Sequence, residues 1–168
     1  MQGIDAKASP FCVLPERMKR MNKVWQKNRM ELFRELNCSE EGLTAAEASA
    51  KEGAVLIICA ELADGTGGEG FYHSLRDCES PKAHFEQCVA TPQAETIPDQ
   101  WESQILARIL MKHHVIFVSR PEMEQTLREI KLDFAPSLEQ ALAMAKKEKG
   151  ENAPVTVIPD GISVIVRE

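Results

Sequence analysis

The chain has 168 residues and a mass of 18.8 kDa, enough for one compact domain and short for two. Its 43% hydrophobic and 27% charged residues suit an ordinary globular protein, and its longest near-apolar run, Ala54–Ala60, is far too short to span a bilayer. These figures exclude a membrane-spanning, collagen-like or wholly disordered chain, and the net charge of −6 argues against a nucleic-acid binder.

Residues 1–15, with Pro10 and Pro15 and no periodicity, read as a loose tail. They have no apolar core of the signal-peptide kind. From Glu16 to Leu36, Met18, Met21, Val24, Trp25, Leu32 and Phe33 fall near helical spacing among many Lys and Arg residues. This predicts an N-terminal basic amphipathic helix. It would either pack on its own domain, the favoured reading, or bind a partner or membrane surface. Residues 1–36 hold eight basic against four acidic residues, and the remainder holds 12 against 22. A basic leader over 1–36 thus precedes an acidic body over 37–168.

Thr44 followed by Glu47 reads as a capping box that opens an Ala-rich helix, with Gly53 as its stop. Ala54–Ala60 is a continuous apolar run with β-branched residues, the pattern of a strand buried on both faces. A glycine-rich loop, Glu61–Glu69, leads into a helix from about Gly68 to Arg76. A short helix around 83–88 is followed by Asp99, read as a cap with Glu102 in the capping-box position, and by a helix whose apolar face is Ile105, Leu106, Ile109 and Leu110. His114–Ser119 is a second buried strand. Pro121 begins a helix carrying Met123, Leu127 and Ile130. Ser137 caps a helix over 138–149 that Gly150 stops. Val155–Ile158 is a third strand, and 162–166 a fourth. This order predicts an α/β fold: a small, mainly parallel sheet flanked by helices, with the N-terminal amphipathic helix added.

Ligands of such sheets bind beyond the carboxyl ends of the strands. Three loops lie there: 61–68, Ser119-Arg120 and Pro159-Asp160-Gly161. In the first, Asp64, Gly65, Thr66, Gly67 and Gly68 are ligand candidates. Glycines let backbone N–H groups approach an anion, although such a loop is as often a plain tight turn. Glu61 and Asp64 would repel a bare phosphate, which favours a hydroxylated or bridged ligand. Glu61, Asp64 and Glu69 could instead act as acid and base or hold a hard cation. The five cysteines are odd in number and form no CxxC pair, so they read as reduced thiols in the cytoplasm. Cys78, His84 and Cys88 match no zinc spacing. His73 could face the ligand, but the favoured reading is a solvated helix histidine, and His113 and His114 read as favourable charges at a helix C-terminus. Trp101 is either a plate for a planar ligand or a core anchor, the latter favoured on sequence alone.

Several segments resemble one family. Gly42-Leu-Thr-Ala-Ala-Glu47, Gly53-Ala-Val-Leu-Ile-Ile58, Ala63–Tyr72, Pro98–Leu110 and Val155–Gly161 are similar, in order, to the C-terminal domain of nickel-dependent lactate racemases. The resemblance covers about residues 42–166. It implies the cleft-closing, substrate-contacting domain of a 2-hydroxy-acid racemase, an isomerase. A nickel pincer nucleotide would sit on a larger N-terminal domain, in a partner chain or missing here. The resemblance places Gln100 and Trp101 toward the substrate and cofactor. It implies no catalytic residue, metal ligand or cofactor within this chain, while the net charge and the short apolar runs argue against a nucleic-acid or membrane partner. Two departures stand out. The family's usual Tyr-Gln-x-x-Lys is replaced at Asn37, Cys38 and Glu41, and its Asp-Gly-His-Gly loop reads Asp64-Gly65-Thr66-Gly67. The alternative is therefore a non-catalytic ligand- or protein-binding module derived from that domain.

Overall fold

The computed structural model describes residues 9–12, 36 and 40–158. Among these residues the order is β1 (Ser9–Cys12), α1 (Glu40–Ser49), β2 (Ala50–Cys59), α2 (Glu69–Asp77), α3 (Pro81–Ala90), α4 (Gln100–Leu110), β3 (His114–Val118), α5 (Glu124–Glu129), β4 (Asp133–Ala135), α6 (Leu138–Lys149) and β5 (Val155–Thr156). The strands form one sheet in the order β4-β3-β2-β1-β5, and every neighbouring pair is parallel. The α/β architecture predicted from the strand–helix alternation is the one observed.

The sheet is buried on both faces, and its side chains sort by period two. Leu56, Ile58, Val115, Phe117 and Phe134 join one core with Leu43 of α1, Phe71 and Leu75 of α2, Leu106 of α4 and Leu127 of α5. Val55, Ile57, Ile116 and Ala135 join a second core, covered by Ala141 and Ala145 of α6. Successive strand residues point to opposite faces, so an unbroken apolar run is what a doubly covered sheet requires. Each large side chain buried this way contributes about 1.5–3 kcal/mol.

Local signals place most helix ends. Ser80 accepts from the Ala83 N–H at 3.1 Å and Ser137 from the Gln140 N–H at 3.3 Å, each capping its helix. Gly150, at φ 91°, ends α6.

Several expectations need correction. Thr44 lies inside α1, which starts at Glu40, because Leu43 and Ala46 must already be helical to bury on the sheet. Gly53 does not stop that helix. It sits within β2 at φ 76°, its N–H donating to Lys112 O at 2.9 Å, just before the register with β3 begins at Val55. Asp99 precedes α4 but adopts φ 62° and makes no side-chain cap; its carbonyl instead accepts from the Glu102 and Ser103 N–H groups. The tail reading of 1–15 missed β1, which pairs on both sides with β2 and β5, and no expectation covered β4. Pro121 opens a 3-10 turn that runs into α5, with Met123, Leu127 and Ile130 buried as expected. The strand over 155–158 is shorter, Val155–Thr156. The predicted helix over 16–36, apart from Leu36, and the strand over 162–166 lie outside the described residues.

Candidate functional site

The carboxyl ends of β2 and β3 emerge side by side, with the Ala60 N–H donating to Val118 O at 3.0 Å. The chain leaving β3 then grips the loop leaving β2. Ser119 Oγ donates to Glu61 O at 3.1 Å, and Arg120 Nη2 donates to Leu62 O at 2.8 Å and Ala63 O at 3.0 Å. Leu62 is fully buried at φ 55°, a left-handed conformation costly for a leucine and held here by three side-chain-to-carbonyl bonds. Two of the candidate loops are thus one unit. The third, Pro159-Asp160-Gly161, lies outside the described residues.

The glycines of 65–68 serve different purposes. Gly65 and Gly67 take φ of 85° and 79°, so the turn itself demands them. Gly68 has ordinary extended backbone, but a Cβ there would collide with the Asp99 carboxylate. A Cβ on Gly70 would lie 3.2 Å from Pro98 O. Glycine at 68 and 70 therefore lets the loop and the start of α2 nest under the Pro98–Asp99 turn. That turn launches α4, and its first residues are Gln100 and Trp101. The Leu36 N–H donates to Gly65 O at 2.9 Å, tying the preceding chain to the same loop.

Trp101 is 62% exposed, so it is not the core anchor favoured on sequence alone. It stands in solvent two residues after Asp99, the residue that Gly68 nests against. Gln100 is more constrained. Its Nε2 donates to Cys88 O at 3.5 Å, and its Oε1 accepts from the Ile97 N–H at 3.4 Å. The amide is thus engaged in holding α3 to the start of α4.

Behind them lies a buried polar relay. Ser103 Oγ donates to Gln100 O at 2.9 Å, so His84 Nε2, 2.9 Å away, is the donor to Ser103 Oγ. Cys88 Sγ lies 3.4 Å from the same His84 nitrogen. Burial, with a smaller push from Lys131, holds His84 below its ordinary value, so it is a neutral hydrogen-bond donor. Burial raises the Cys88 thiol, and it pushes Cys59, at the end of β2, up to about 11. Neither is a ready nucleophile.

The other candidates do not converge. His73 is half-exposed on α2 between Glu69 at 3.8 Å and Asp77 at 3.9 Å, a solvated helix histidine as expected. His113 is buried and held below its ordinary value by that burial, so it is not the helix-end cation expected. His114, at the amino end of β3 and so at the opposite end of the strands from the loop, spans Asp133 at 2.8 Å and Glu148 at 2.5 Å. Cys78 Sγ bonds to Leu75 O at 3.1 Å. Among the described residues no group of three His, Cys, Asp or Glu side chains could hold a metal ion. Nor is any of their helices long and apolar enough to cross a membrane. Sequence reasoning flagged the Ser119-Arg120 pair by its place after a strand; it missed the relay and Asp99, whose partners are 19 and 31 residues away.

Comparison with known proteins accounts for this arrangement. The family profile of the lactate racemase C-terminal domain matches residues 32–166. A lactate racemase of Lactiplantibacillus plantarum is 49% identical over 127 residues, covering 76% of this chain and 30% of that protein. A lactate racemase of Thermoanaerobacterium thermosaccharolyticum is 44% identical over 130 residues, covering 77% of this chain and 30% of that protein. The solved lactate racemase apoprotein from Thermoanaerobacterium thermosaccharolyticum superposes with a TM-score of 0.80 at 42% identity, over 82% of this chain and 33% of that one. The chain thus spans about a third or less of each relative. With a parallel sheet, a nested glycine loop and matches of this extent, the chain belongs to the lactate racemase C-terminal domain family.

Proposed function

We propose that this chain acts as the cleft-closing, substrate-contacting domain of a racemase for lactate or a related 2-hydroxy acid, in the cytoplasm. The observation that carries the reading is Trp101: a large aromatic held in solvent at the start of α4, beside a loop built to support that turn. An exposed tryptophan with fixed surroundings suits a surface that closes on a small ligand. The nickel pincer nucleotide that the family implies does not fit the described donors of this chain. His84 and Cys88 are buried in the relay, His114 is held between two carboxylates, and His73 stands alone with carboxylates on α2. No step of the reaction is therefore assigned to these residues, and the cofactor belongs with a separate nickel-binding domain. This chain's part is to exclude water and present Trp101 and the 61–68 loop to the substrate.

The test is racemisation of D-lactate, followed by chiral chromatography, with the chain alone and with a cofactor-loaded lactate racemase nickel domain. Activity is expected only in the mixture, reduced by Trp101→Ala. Racemisation by the chain alone would overturn the dependence, and an inactive mixture in which the two proteins bind would favour the second reading. That reading is a non-catalytic binding module, supported by Thr66 in the loop and Glu41 where the family carries lysine. It predicts that a hydroxy acid or nucleotide raises the melting temperature, and that Gly67→Val removes the effect.

A further inference from the structure

Two side-chain links tie α3 to the first turn of α4. Gln100 Nε2 donates to Cys88 O, and His84 Nε2 donates to Ser103 Oγ, which donates in turn to Gln100 O. The anchors are four residues apart on α3 and three apart on α4, so each pair stands on one face of its helix. The second link lies wholly in the interior, with His84 5% and Ser103 0% exposed. Apolar side chains would bury there as well. Hydrophobic burial has no direction, however, whereas a hydrogen bond accepts one geometry, so a satisfied buried polar pair selects one way of packing two helices.

What the links select is the rotation of α4. A helix turns about 100° per residue, so Gln100 and Ser103 lie about 60° apart on its circumference, and Trp101 lies about 130° from the line midway between them. With Gln100 and Ser103 turned to α3, Trp101 has to face away from α3, and its 62% exposure agrees. The nest of Gly68 against Asp99 holds the start of α4 in place but does not engage the helix beyond it. The rotation, and with it the direction of the indole, depends on the two links to α3.

We propose that His84 and Ser103 are positioning residues for Trp101: their buried hydrogen bond, with the Gln100–Cys88 bond beside it, fixes the rotation of α4 on α3 and aims the indole at the surface that closes on substrate. Being buried, neither residue touches the ligand, and both act through Trp101. The use of that surface on a 2-hydroxy acid rests on the racemase reading above; the aiming of the indole does not.

Hydrogen exchange of the full chain, read by mass spectrometry, tests the positioning without any activity. His84→Leu and Ser103→Ala should each speed exchange of the 100–106 segment about three- to tenfold, the range for one lost hydrogen bond, while the 54–60 segment of β2 keeps its rate. His84→Gln keeps an N–H donor near the place of Nε2 and should leave both segments as in the wild type. Two loss variants keep the test decisive if one of them fails to fold. No rise in either loss variant overturns the proposal. So does an equal rise in both segments, which would be a general loss of stability, or a rise in His84→Gln as large as in His84→Leu. Racemisation in the mixture with a cofactor-loaded nickel domain then tests whether the residues act through Trp101. His84→Leu and Trp101→Ala should each lower kcat/KM, and the double variant should be no slower than Trp101→Ala alone, because a positioning residue then has nothing left to position. Losses that multiply independently overturn the proposal. A wild-type mixture without activity refutes the racemase reading instead, and the exchange rates then decide the positioning alone.

Discussion

Replacing Gly68 with alanine isolates the contact that fixes the start of α4. Gly68 has φ −93° and ψ 133°, allowed for any residue, so alanine meets no backbone penalty there. Its methyl group would stand 3.1 Å from Asp99 Cγ and 3.6 Å from Asp99 Cβ, and would overlap Oδ2. The Asp99 backbone is fixed by its φ of 62° and its carbonyl bonds to the Glu102 and Ser103 N–H groups, so relief must come from turning the carboxylate, which makes no cap bond, away from residue 68. Gly68→Ala should therefore cost about 1 kcal/mol, the low end of the range for an over-packed contact. Asp99→Gly removes the carboxylate and relieves about 1–2 kcal/mol of left-handed strain. The freer unfolded chain offsets roughly 0.5–1 kcal/mol of that, so the single change should be near neutral or mildly stabilising. With Asp99→Gly in place, alanine at 68 has room and should be neutral or stabilise by about 0.4–1 kcal/mol, through the unfolded state. Urea unfolding followed by circular dichroism gives the four stabilities of this double-mutant cycle, provided the m-values agree. An equal loss from Gly68→Ala in both backgrounds would refute the contact with Asp99 as its cause.

Two further changes contrast a surface plate with a core residue. Trp101→Ala should alter stability by no more than about 0.5 kcal/mol, whereas Phe71→Ala, fully buried in the larger core, should cost about 3–5 kcal/mol in the same assay. A large loss from Trp101→Ala would mean that it packs against something in the folded chain. Acid sensitivity should follow from His84 and His113. Burial holds both below the ordinary histidine value of 6.5, so the unfolded chain binds protons that the folded chain resists. Their contribution is complete above about pH 6.5 and is lost as pH falls through that value toward the folded ones. His84→Gln should flatten the fall in urea midpoint between pH 8 and pH 5. A wild-type midpoint that rises over that fall in pH would contradict the sign.

Much of the fold was legible in local signals. The runs Ala54–Ala60 and His114–Ser119 announced central strands, because a strand covered on both faces must be apolar at consecutive positions. Ser137 and Gly150 bounded α6, because capping and left-handed backbone are decided by one or two residues. The same local logic failed at Thr44 and Asp99, where packing overrode the capping signal. At Thr44, burial of Leu43 extended the helix upstream; at Asp99, a left-handed backbone at φ 62° leaves the carboxylate packed beside Gly68 with no cap bond. The family itself was readable from the ordered motifs around the 63–72 and 98–110 segments, and the profile match agrees.

The amino-acid sequence by itself determined the fold class and the glycine loop. Both rest on residues adjacent in the chain. Only the tertiary structure decided that Trp101 is exposed while Gln100 is engaged, that Arg120 and Ser119 grip the 61–63 carbonyls, and that β1 and β4 exist. Strands of three or four residues gain their hydrogen bonds only from neighbours far away in sequence, and a side chain's exposure depends on what folds over it. Such facts arise from contacts across tens of residues, and no short window of sequence contains both partners.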